Sequence, residues 1–265
     1  MSDWIFGISD FSISEPLLNA EQIIGSGLDF IEPGLAKAAA LSDEEFDLAV
    51  ARLSEVNVQS MNWFLPPTLK VVGSEVNEEE SRNFLTHALT RANRLGAKAV
   101  VFGSPRSRSI PEGFSEEKAE AQMMKFCRMA SDVISENDLG LKIALEHVNH
   151  TETNFLNTFA QALKMVKKVD RPEIALAADF YHFEMEKESV ELMKVAGDLI
   201  CAVQLANPAG RCFPKLDAEI PRVDDFFRVL DEIGYQGGIS VEATVGEDLE
   251  ADCGAAAEFF AKYRT

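Results

Sequence analysis

The feature that most constrains the fold of this chain is a regular alternation of two hydrophobic patterns. Short apolar runs rich in β-branched residues are each followed by a longer stretch with apolar residues at helical spacing. The short runs predict eight strands, at residues 4–9, 30–32, 58–63, 97–102, 142–146, 174–179, 202–206 and 238–242. The longer stretches predict helices at residues 77–95, 115–136, 158–169, 188–196, 223–233 and 251–263. This alternation is typical of strand–helix–strand units in a parallel sheet.

Eight such units in 265 residues leave about 33 residues for each unit, which suits a strand–helix–strand crossover. A doubly wound open sheet also alternates, but no GxGxxG or GxxxxGK[ST] motif follows the first strand. We therefore predict an α/β fold in which residues 1–265 form one domain, a closed TIM (β/α)8 barrel. No low-complexity linker divides the chain, and hydrophobic residues make up 46% of it, enough for a large core.

The composition argues against several classes of partner. The formal net charge is −19, and we expect it to repel nucleic acids and anionic membranes, because phosphate binding depends on lysine and arginine. No apolar stretch reaches the roughly 20 residues of a membrane span. The segment from Met1 to Trp4 lacks the basic and apolar regions of a secretory signal. Four scattered cysteines without a CxxC pair indicate reduced thiols, so we expect a cytoplasmic protein.

Four polar residues lie at the predicted carboxyl ends of the last four strands. They are Glu146, Asp179, Gln204 and Glu242, separated by 33, 25 and 38 residues. In a barrel these ends converge on the face where barrel enzymes carry their active sites. Buried carboxylates are costly without compensation, and three carboxylates with one amide oxygen form a hard ligand set that suits Mn²⁺ or Mg²⁺. Each acid alone is equally well explained as a helix cap or surface residue, but the series of four favours a metal site.

A second group of polar residues follows the ends of three of these strands and suits substrate contacts. Its members are Glu152, His182 and Arg211. Taken alone, His182 is as easily a structural histidine, and Arg211 is more often a surface ion-pair partner. Arg106 and Arg108 follow the fourth strand and suit an anionic group, although an exposed loop is the simpler interpretation. Trp63 ends the third strand and suits either stacking on a sugar or ordinary core packing.

Four short motifs carry a resemblance to a known family. They are Glu-His-Val-Asn at 146–149, Asp-Phe-Tyr-His at 179–182, Gln-Leu-Ala-Asn-Pro-Ala-Gly-Arg at 204–211 and Ser-Val-Glu at 240–242. Together they resemble the xylose isomerase-like TIM barrels, which include ketose 3-epimerases, hydroxypyruvate isomerase, inosose dehydratases and endonuclease IV. The resemblance extends over nearly the whole chain, from the first strand to the last helix. It is specific for the superfamily and weak for the substrate.

The resemblance implies a role for each of these residues. The four strand-end residues would bind one divalent ion, Mn²⁺ or Mg²⁺ ahead of Co²⁺ or Zn²⁺, and the second group would contact substrate hydroxyls or a carboxylate. Glu146 and Glu242 would also exchange a proton of the substrate carbon. Ketose 3-epimerases usually carry histidine where this chain has Gln204, whereas hydroxypyruvate isomerase-type members carry glutamine there, which favours a small keto-acid or hydroxy-carbonyl substrate. Family resemblance also implies a homo-oligomer.

These observations predict a divalent-metal-dependent isomerase or epimerase of a small sugar or hydroxy-keto acid. A carboxylate would remove a proton beside a metal-bound carbonyl to give a metal-stabilised enediolate, and return of the proton would epimerise or isomerise the substrate. A dehydratase of the inosose or dehydroshikimate type on the same barrel is the alternative. A DNA-repair endonuclease of the endonuclease IV kind would need more histidines than the four present. A non-catalytic sugar-binding barrel would not need an intact ligand set.

Overall fold

The strands form one eight-stranded parallel sheet that curls into a nearly closed barrel. The computed structural model describes residues 3–9 and 20–264, so Met1 and Ser2, part of the segment considered for a signal, lie outside the described residues. In chain order, strands β1 to β8 are Ile5–Ser9, Phe30–Glu32, Ser60–Met61, Ala99–Phe102, Lys142–Glu146, Ile174–Asp179, Ile200–Leu205 and Gly238–Val241. Their order in the sheet is β2-β1-β8-β7-β6-β5-β4-β3. Parallel bridges from Ile31 to Val58 and from Gly34 to Asn62 bring β2 to β3, which confirms the predicted TIM barrel.

Helices lie between the strands, as the hydrophobic pattern predicts. In chain order, α1 to α11 are Ala20–Gly25, Leu35–Ala40, Asp43–Arg52, Glu78–Arg94, Pro105–Arg108, Glu116–Glu136, Phe159–Val169, Phe180–Met185, Met193–Ala196, Val223–Glu232 and Leu249–Phe260. Polar side chains fix where the helices begin. Asn77 accepts from the N–H of Glu80 at α4, and Thr158 forms a reciprocal capping box with Gln161 at α7.

Two predicted elements are shorter than their patterns indicate. The predicted strand at 58–63 keeps only Ser60–Met61, because its ends pair with the β2 segment through single bridges. The predicted helix at 188–196 divides into a 3₁₀ turn at Val190–Leu192 followed by α9. Both differences concern element length and leave the barrel topology as predicted.

Alternation along the strands separates the barrel interior from the layer beneath the helices. Ile143, Leu145 and Leu176 belong to the large core, whereas Ala144 and Ala177 belong to a separate small cluster with Ala99, Val101 and Ala202. Successive side chains of a strand point to opposite faces. The small cluster lies in the barrel interior, so residues two positions beyond its members point into the barrel as well. These residues are Gly103, Glu146, Asp179 and Gln204. The pleat of the strands thus directs the predicted ligands toward a common axis.

Two further expectations concern the whole chain. In the part of the chain that the structure describes, no helix combines the length and apolar character needed to cross a membrane. All four cysteines lie among the described residues and are free thiols, as their spacing predicts. Cys127 and Cys253 are buried between helices and barrel, where they pack as small apolar side chains.

Candidate active site

A cavity of about 370 Å³ opens at the carboxyl ends of the strands, a size that suits a small molecule. Seven residues singled out in the sequence line it: Trp63, Arg106, Glu146, Glu152, His182, Arg211 and Glu242. Trp63, Ser104 and Arg211 in its wall have left-handed backbone conformations, with φ of 44°, 41° and 47°. Such conformations are unfavourable for residues with a side chain and concentrate at functional sites. The cavity therefore lies where barrel enzymes carry their active sites.

Four buried side chains converge at this end of the barrel. Glu146, Asp179, His182 and Glu242 each offer one oxygen or nitrogen atom, and these atoms all lie within 4.8 Å of one another. The structure thus brings together three of the four predicted strand-end residues with His182 from the second group. All four histidines lie among the described residues, and His182 alone belongs to this cluster. The histidine-rich site of an endonuclease IV-type enzyme is not formed here.

Asp179 uses its two carboxylate oxygens for different purposes. Oδ1 accepts a hydrogen bond from the backbone N–H of Tyr181 at 2.8 Å and so caps the start of α8, which follows β6 directly. Oδ2 is buried, has no hydrogen-bond partner, and lies 3.5 Å from Nε2 of His182. The strand–helix junction therefore holds the side chain in place and leaves one oxygen available to a ligand.

Gln204 is oriented by an acid that the sequence reasoning did not single out. Its Nε2 donates to both carboxylate oxygens of Glu32, at 3.4 and 3.3 Å, so its Oε1 faces away from Glu32. This Oε1 is buried without a hydrogen-bond partner. Glu32 itself ends β2, accepts a hydrogen bond from Ser240, and is buried.

The unpartnered oxygens test whether these residues suit a divalent cation. Glu146 Oε1, Asp179 Oδ2 and Gln204 Oε1, one from each of three consecutive strands, are buried and lack hydrogen-bond partners. Buried polar atoms are nearly always hydrogen-bonded, so three such oxygens at one barrel end call for another partner. Carboxylate and amide oxygens are the ligands that Mg²⁺ and Mn²⁺ prefer. The donor set therefore fits the hard divalent ion predicted from sequence.

His182 is placed to donate a hydrogen bond from Nε2 rather than to bind a cation. Its Nδ1 accepts from the backbone N–H of Asn149 at 3.3 Å and from Nδ2 of Asn149 at 2.8 Å. The Asn149 amide orientation is fixed because its Oδ1 accepts from the N–H and hydroxyl of Thr151. Burial lowers the pKa of His182 well below 6.5, so the ring is neutral. With Nδ1 accepting, the ring proton is on Nε2, which leaves no lone pair there for a metal ion.

Glu242 and Glu152 are joined by Arg211. The guanidinium donates to Oε2 of Glu242 at 2.6 Å and to Oε1 of Glu152 at 2.9 Å. It reaches them from a tight turn in which Asn207 and Cys212 pair with each other, and it lies 4.5 Å from the centre of the Tyr181 ring. Arg211 is thus a cavity residue. Its sequence context alone would instead suggest an isolated surface ion-pair partner.

The structure corrects the prediction for Arg108, which does not line the cavity. The side chain is fully buried, and its Nη1 donates to the backbone oxygens of Glu146 at 2.7 Å and of Phe102 at 3.3 Å. Burial lowers the pKa of Arg108 to about 10, and the nearby Glu146 opposes this effect. Helix α5 turns Arg108 behind the ends of β4 and β5, so it supports the Glu146 backbone. Its neighbour Arg106 is exposed and lines the cavity instead.

Burial raises the pKa of the carboxyl groups in this cluster. The pKa of Glu146 lies well above its ordinary value because of desolvation, with Glu242 and Asp179 adding repulsion. Desolvation also raises the pKa of Asp179 to about 7 and that of Glu32 to about 8. It raises the pKa of Glu242 too, against the opposing effect of Arg211. Carboxyl groups with such pKa values retain protons near neutral pH unless a cation replaces those protons.

Sequence reasoning missed several polar residues of the site, although some carry a readable signal. Glu32 ends a short apolar strand, as Glu146, Asp179 and Glu242 end or follow theirs, so the same criterion finds it. Asn149 stands in one of the quoted motifs without an assigned role. Its contact with His182 depends on the loop after β5, which periodicity does not predict.

The comparisons with known proteins agree with this fold. The chain belongs to the family of xylose isomerase-like TIM barrels, which matches residues 21–263. The D-psicose 3-epimerase whose crystal structure was determined in the presence of D-fructose has a TM-score of 0.85 to this protein at 18% sequence identity. That match covers 98% of this chain and 99% of the other, and at this identity it shows the fold alone.

Two curated relatives carry names of isomerases or epimerases. Hydroxypyruvate isomerase of Escherichia coli (strain K12) is 30% identical over 170 residues, which cover 62% of this chain and 62% of that protein. Ketose 3-epimerase of Arthrobacter globiformis is 32% identical over 107 residues, covering 40% of this chain and 36% of that protein. The chain thus spans less than two thirds of the length of either relative.

Proposed function

We propose that the protein is a divalent-metal-dependent isomerase or epimerase of a small sugar or hydroxy-keto acid. The observation that carries the proposal is the set of unpartnered buried oxygens on Glu146, Asp179 and Gln204, beside the carboxylate of Glu242. The names of the relatives, a hydroxypyruvate isomerase and a ketose 3-epimerase, support the reaction class and both kinds of substrate.

The residues proposed to hold the ion are the four strand-end residues, Glu146, Asp179, Gln204 and Glu242. When bound, a Mn²⁺ or Mg²⁺ ion would polarise a substrate carbonyl and so acidify the neighbouring C–H bond. The proposed ligands are three carboxylates and one amide, without histidine or cysteine, and this set favours these hard ions over zinc. His182 stays outside the ligand set because its Nε2 carries the ring proton.

Glu146 and Glu242 are the proposed proton carriers. They extend from β5 and just past β8, two strands that β6 and β7 separate in the sheet, so they approach the cavity from different sides. Arg211 at 2.6 Å favours the ionised form of Glu242, whereas desolvation and the nearby Glu242 and Asp179 raise the pKa of Glu146 and so favour its protonated form. One carboxylate removes a proton and the other returns it. Return to the opposite face gives an epimer, and return to the neighbouring carbon gives an isomer.

The remaining cavity residues are proposed to bind the substrate. His182 donates from Nε2, and Glu152 and Arg211 offer an acceptor and a donor on the adjoining wall. Trp63 is half exposed at the cavity and presents a ring for stacking against a sugar. A homo-oligomer, a single domain over residues 1–265 and a cytoplasmic location remain predictions from the sequence.

Proton exchange with solvent tests the proposal directly. The protein is incubated with Mn²⁺ in D₂O with ketoses, tetronates, hydroxypyruvate and inososes, and the products are followed by NMR. We expect deuterium beside the carbonyl of an epimer or constitutional isomer of one substrate class. Loss of water from the substrate would instead identify the dehydratase alternative, and no exchange with any class would contradict both.

Two isosteric variants examine the proposed proton carriers. E146Q and E242Q are each expected to lower turnover by about 10²–10⁴-fold, the usual contribution of general acid–base catalysis. E258Q, which changes an exposed glutamate of α11, is the matched control and should leave turnover unchanged. Full activity in either E146Q or E242Q would remove that residue from the mechanism.

A further inference from the structure

Glu32 lies inside the barrel below the proposed metal site, in a position that the proposed reaction does not use. It is buried, and polar side chains of β3, β7 and β8 lie around its carboxyl group. Ser240 donates to its Oε2, and Nε2 of Gln204 donates to both of its oxygens at 3.4 and 3.3 Å. Among the described residues Glu32 forms no ion pair, so its contacts orient neighbouring groups and do not neutralise a charge.

The orientation of Gln204 matters because its amide has two unlike ends. Only Oε1 can bind a cation, whereas the NH₂ end would turn positive hydrogens toward the ion. The two orientations have nearly the same shape, so packing alone does not choose between them. In the structure both oxygens of Glu32 accept from Nε2, so the carboxyl group holds the NH₂ end of the amide on its own side.

The opposite end of the amide shows the consequence. Oε1 of Gln204 is buried and has no hydrogen-bond partner, and Gln204 pairs in register with Asp179 of β6, whose Oδ2 is likewise unpartnered. The contact with Glu32 thus turns the acceptor end of the amide away from Glu32 and leaves it, like Oδ2 of Asp179, without a hydrogen-bond partner.

We propose that Glu32 is a positioning residue for the metal site, which holds the amide of Gln204 with its oxygen toward the ion. This inference rests on the proposed function, since it assumes that Gln204 is a ligand. Residues that orient metal ligands typically change metal affinity by about 10–100-fold when they are replaced. The effect of Glu32 is therefore expected in metal affinity, and only while Gln204 is present.

A double-mutant cycle tests this dependence. Mn²⁺ is titrated calorimetrically into metal-free wild type, E32L, E32Q, Q204A and E32L/Q204A, with thermal unfolding as a check on folding. We expect E32L to weaken Mn²⁺ binding about 10-fold or more. E32Q keeps an acceptor oxygen and should stay within about 3-fold of wild type. In the Q204A background, E32L should change affinity by less than about 2-fold.

The possible outcomes separate the inference from the proposed function. Equal weakening by E32L in both backgrounds, or equal loss in E32Q and E32L, would overturn the role of Glu32 and leave the metal site intact. A wild-type protein without saturable Mn²⁺ binding, or a Q204A variant that binds as tightly as wild type, would instead overturn the proposed ligand set.

If E32L does not fold, a smaller substitution at Ser240 tests the positioning role of Glu32. S240A removes the hydroxyl that donates to Glu32 and changes little volume. The freed carboxyl should weaken Mn²⁺ binding by about 3-fold in the protein that keeps Gln204, and should have no such effect in the Q204A background. Unchanged affinity in S240A would then overturn the positioning role.

Discussion

Arg106 is a cationic side chain of the cavity wall that forms no ion pair among the described residues. The other cation of the wall, Arg211, is held by Glu152 and Glu242 at 2.9 and 2.6 Å. An anionic end of a substrate would therefore meet Arg106, whose planar guanidinium matches a carboxylate or phosphate. The anion-binding role that the sequence suggested for the arginines after β4 is therefore predicted for Arg106 and not for Arg108.

Replacement of Arg106 should discriminate between acidic and neutral substrates. A charge-assisted hydrogen bond contributes about 1.5–3 kcal/mol, so R106A should raise KM for a hydroxy-keto acid by about 10-fold or more. Turnover at saturation should change little, and R106K should recover part of the loss. KM for a neutral ketose should stay as in wild type, and an equal rise for both substrates would contradict the assignment.

Gly103 is a residue whose missing side chain makes room for Glu146. It follows β4, and a Cβ atom built on it would overlap with Oε2 of Glu146. G103A should therefore displace that carboxylate and lower turnover by about 10²-fold, the cost of a misplacement near 1 Å. G254A is the control, because a Cβ in this part of α11 meets no atom within 4 Å. Equal turnover of G103A and wild type would show that Glu146 adjusts without loss.

Among the elements, the junction of β6 and α8 combines a structural and a proposed chemical role in Asp179. Oδ1 caps the helix and Oδ2 is free for the site. Asparagine caps helices about as well as aspartate, whereas loss of the cap costs about 1 kcal/mol. In the metal-free protein, the free energy of unfolding of D179N should therefore be about 1 kcal/mol higher than that of D179A.

Metal binding should not follow this order of stability. Both D179N and D179A remove an anionic ligand, so each should weaken the binding of Mn²⁺ by at least about 100-fold. Chemical denaturation of the metal-free variants and calorimetric Mn²⁺ titration give the two quantities separately. Wild-type affinity in D179N would show that the charge of Asp179 is not needed to hold the ion.

The elements also explain how much of the site the sequence could predict. Glu146 and Asp179 end long apolar strands whose pleat fixes the side-chain direction, so their placement follows from periodicity alone. Arg108 was misplaced because its direction depends on α5, a four-residue turn within a segment that reads as a loop. The β3 segment was overextended because its apolar pattern continues beyond the two residues that pair as a strand. Contacts between distant loops, such as Asn149 with His182, leave no periodic signal in the sequence.

At the scale of the molecule, the barrel concentrates acidic groups whose charges are not balanced within the described residues of the site. Glu146, Asp179 and Glu242 come from separate units of the chain, and closure of the sheet forces their carboxyl groups together. Arg211 forms an ion pair with Glu242. Protons or a bound cation would offset this repulsion, so we expect stability, pH and metal binding to be linked.

Metal removal should consequently destabilise the protein more at alkaline than at acid pH. Burial raises the pKa of Asp179 from 3.8 to about 7 and also raises that of Glu146. For a group whose folded-state pKa is raised, the stabilisation is full below the unfolded value and is lost as the pH rises through the folded value. The metal-free protein should thus lose stability from Asp179 between about pH 4 and pH 7, and from Glu146 as the pH rises through its own raised pKa. Bound Mn²⁺ favours the ionised carboxylates and should reverse this trend.

Thermal unfolding with and without Mn²⁺, at about pH 5.5 and about pH 8, measures this linkage. At a fixed Mn²⁺ concentration that is 100 times the dissociation constant at the lower pH, the ion should stabilise the fold there by about 2.7 kcal/mol. The same concentration should stabilise the fold more at the higher pH, because fewer protons must be displaced. Metal-free D179N provides the matched comparison, since it should exceed wild type in stability at the higher pH and lose that advantage at the lower one. Equal gains from Mn²⁺ at both pH values would mean that the buried carboxyl groups are not the site at which protons and metal compete.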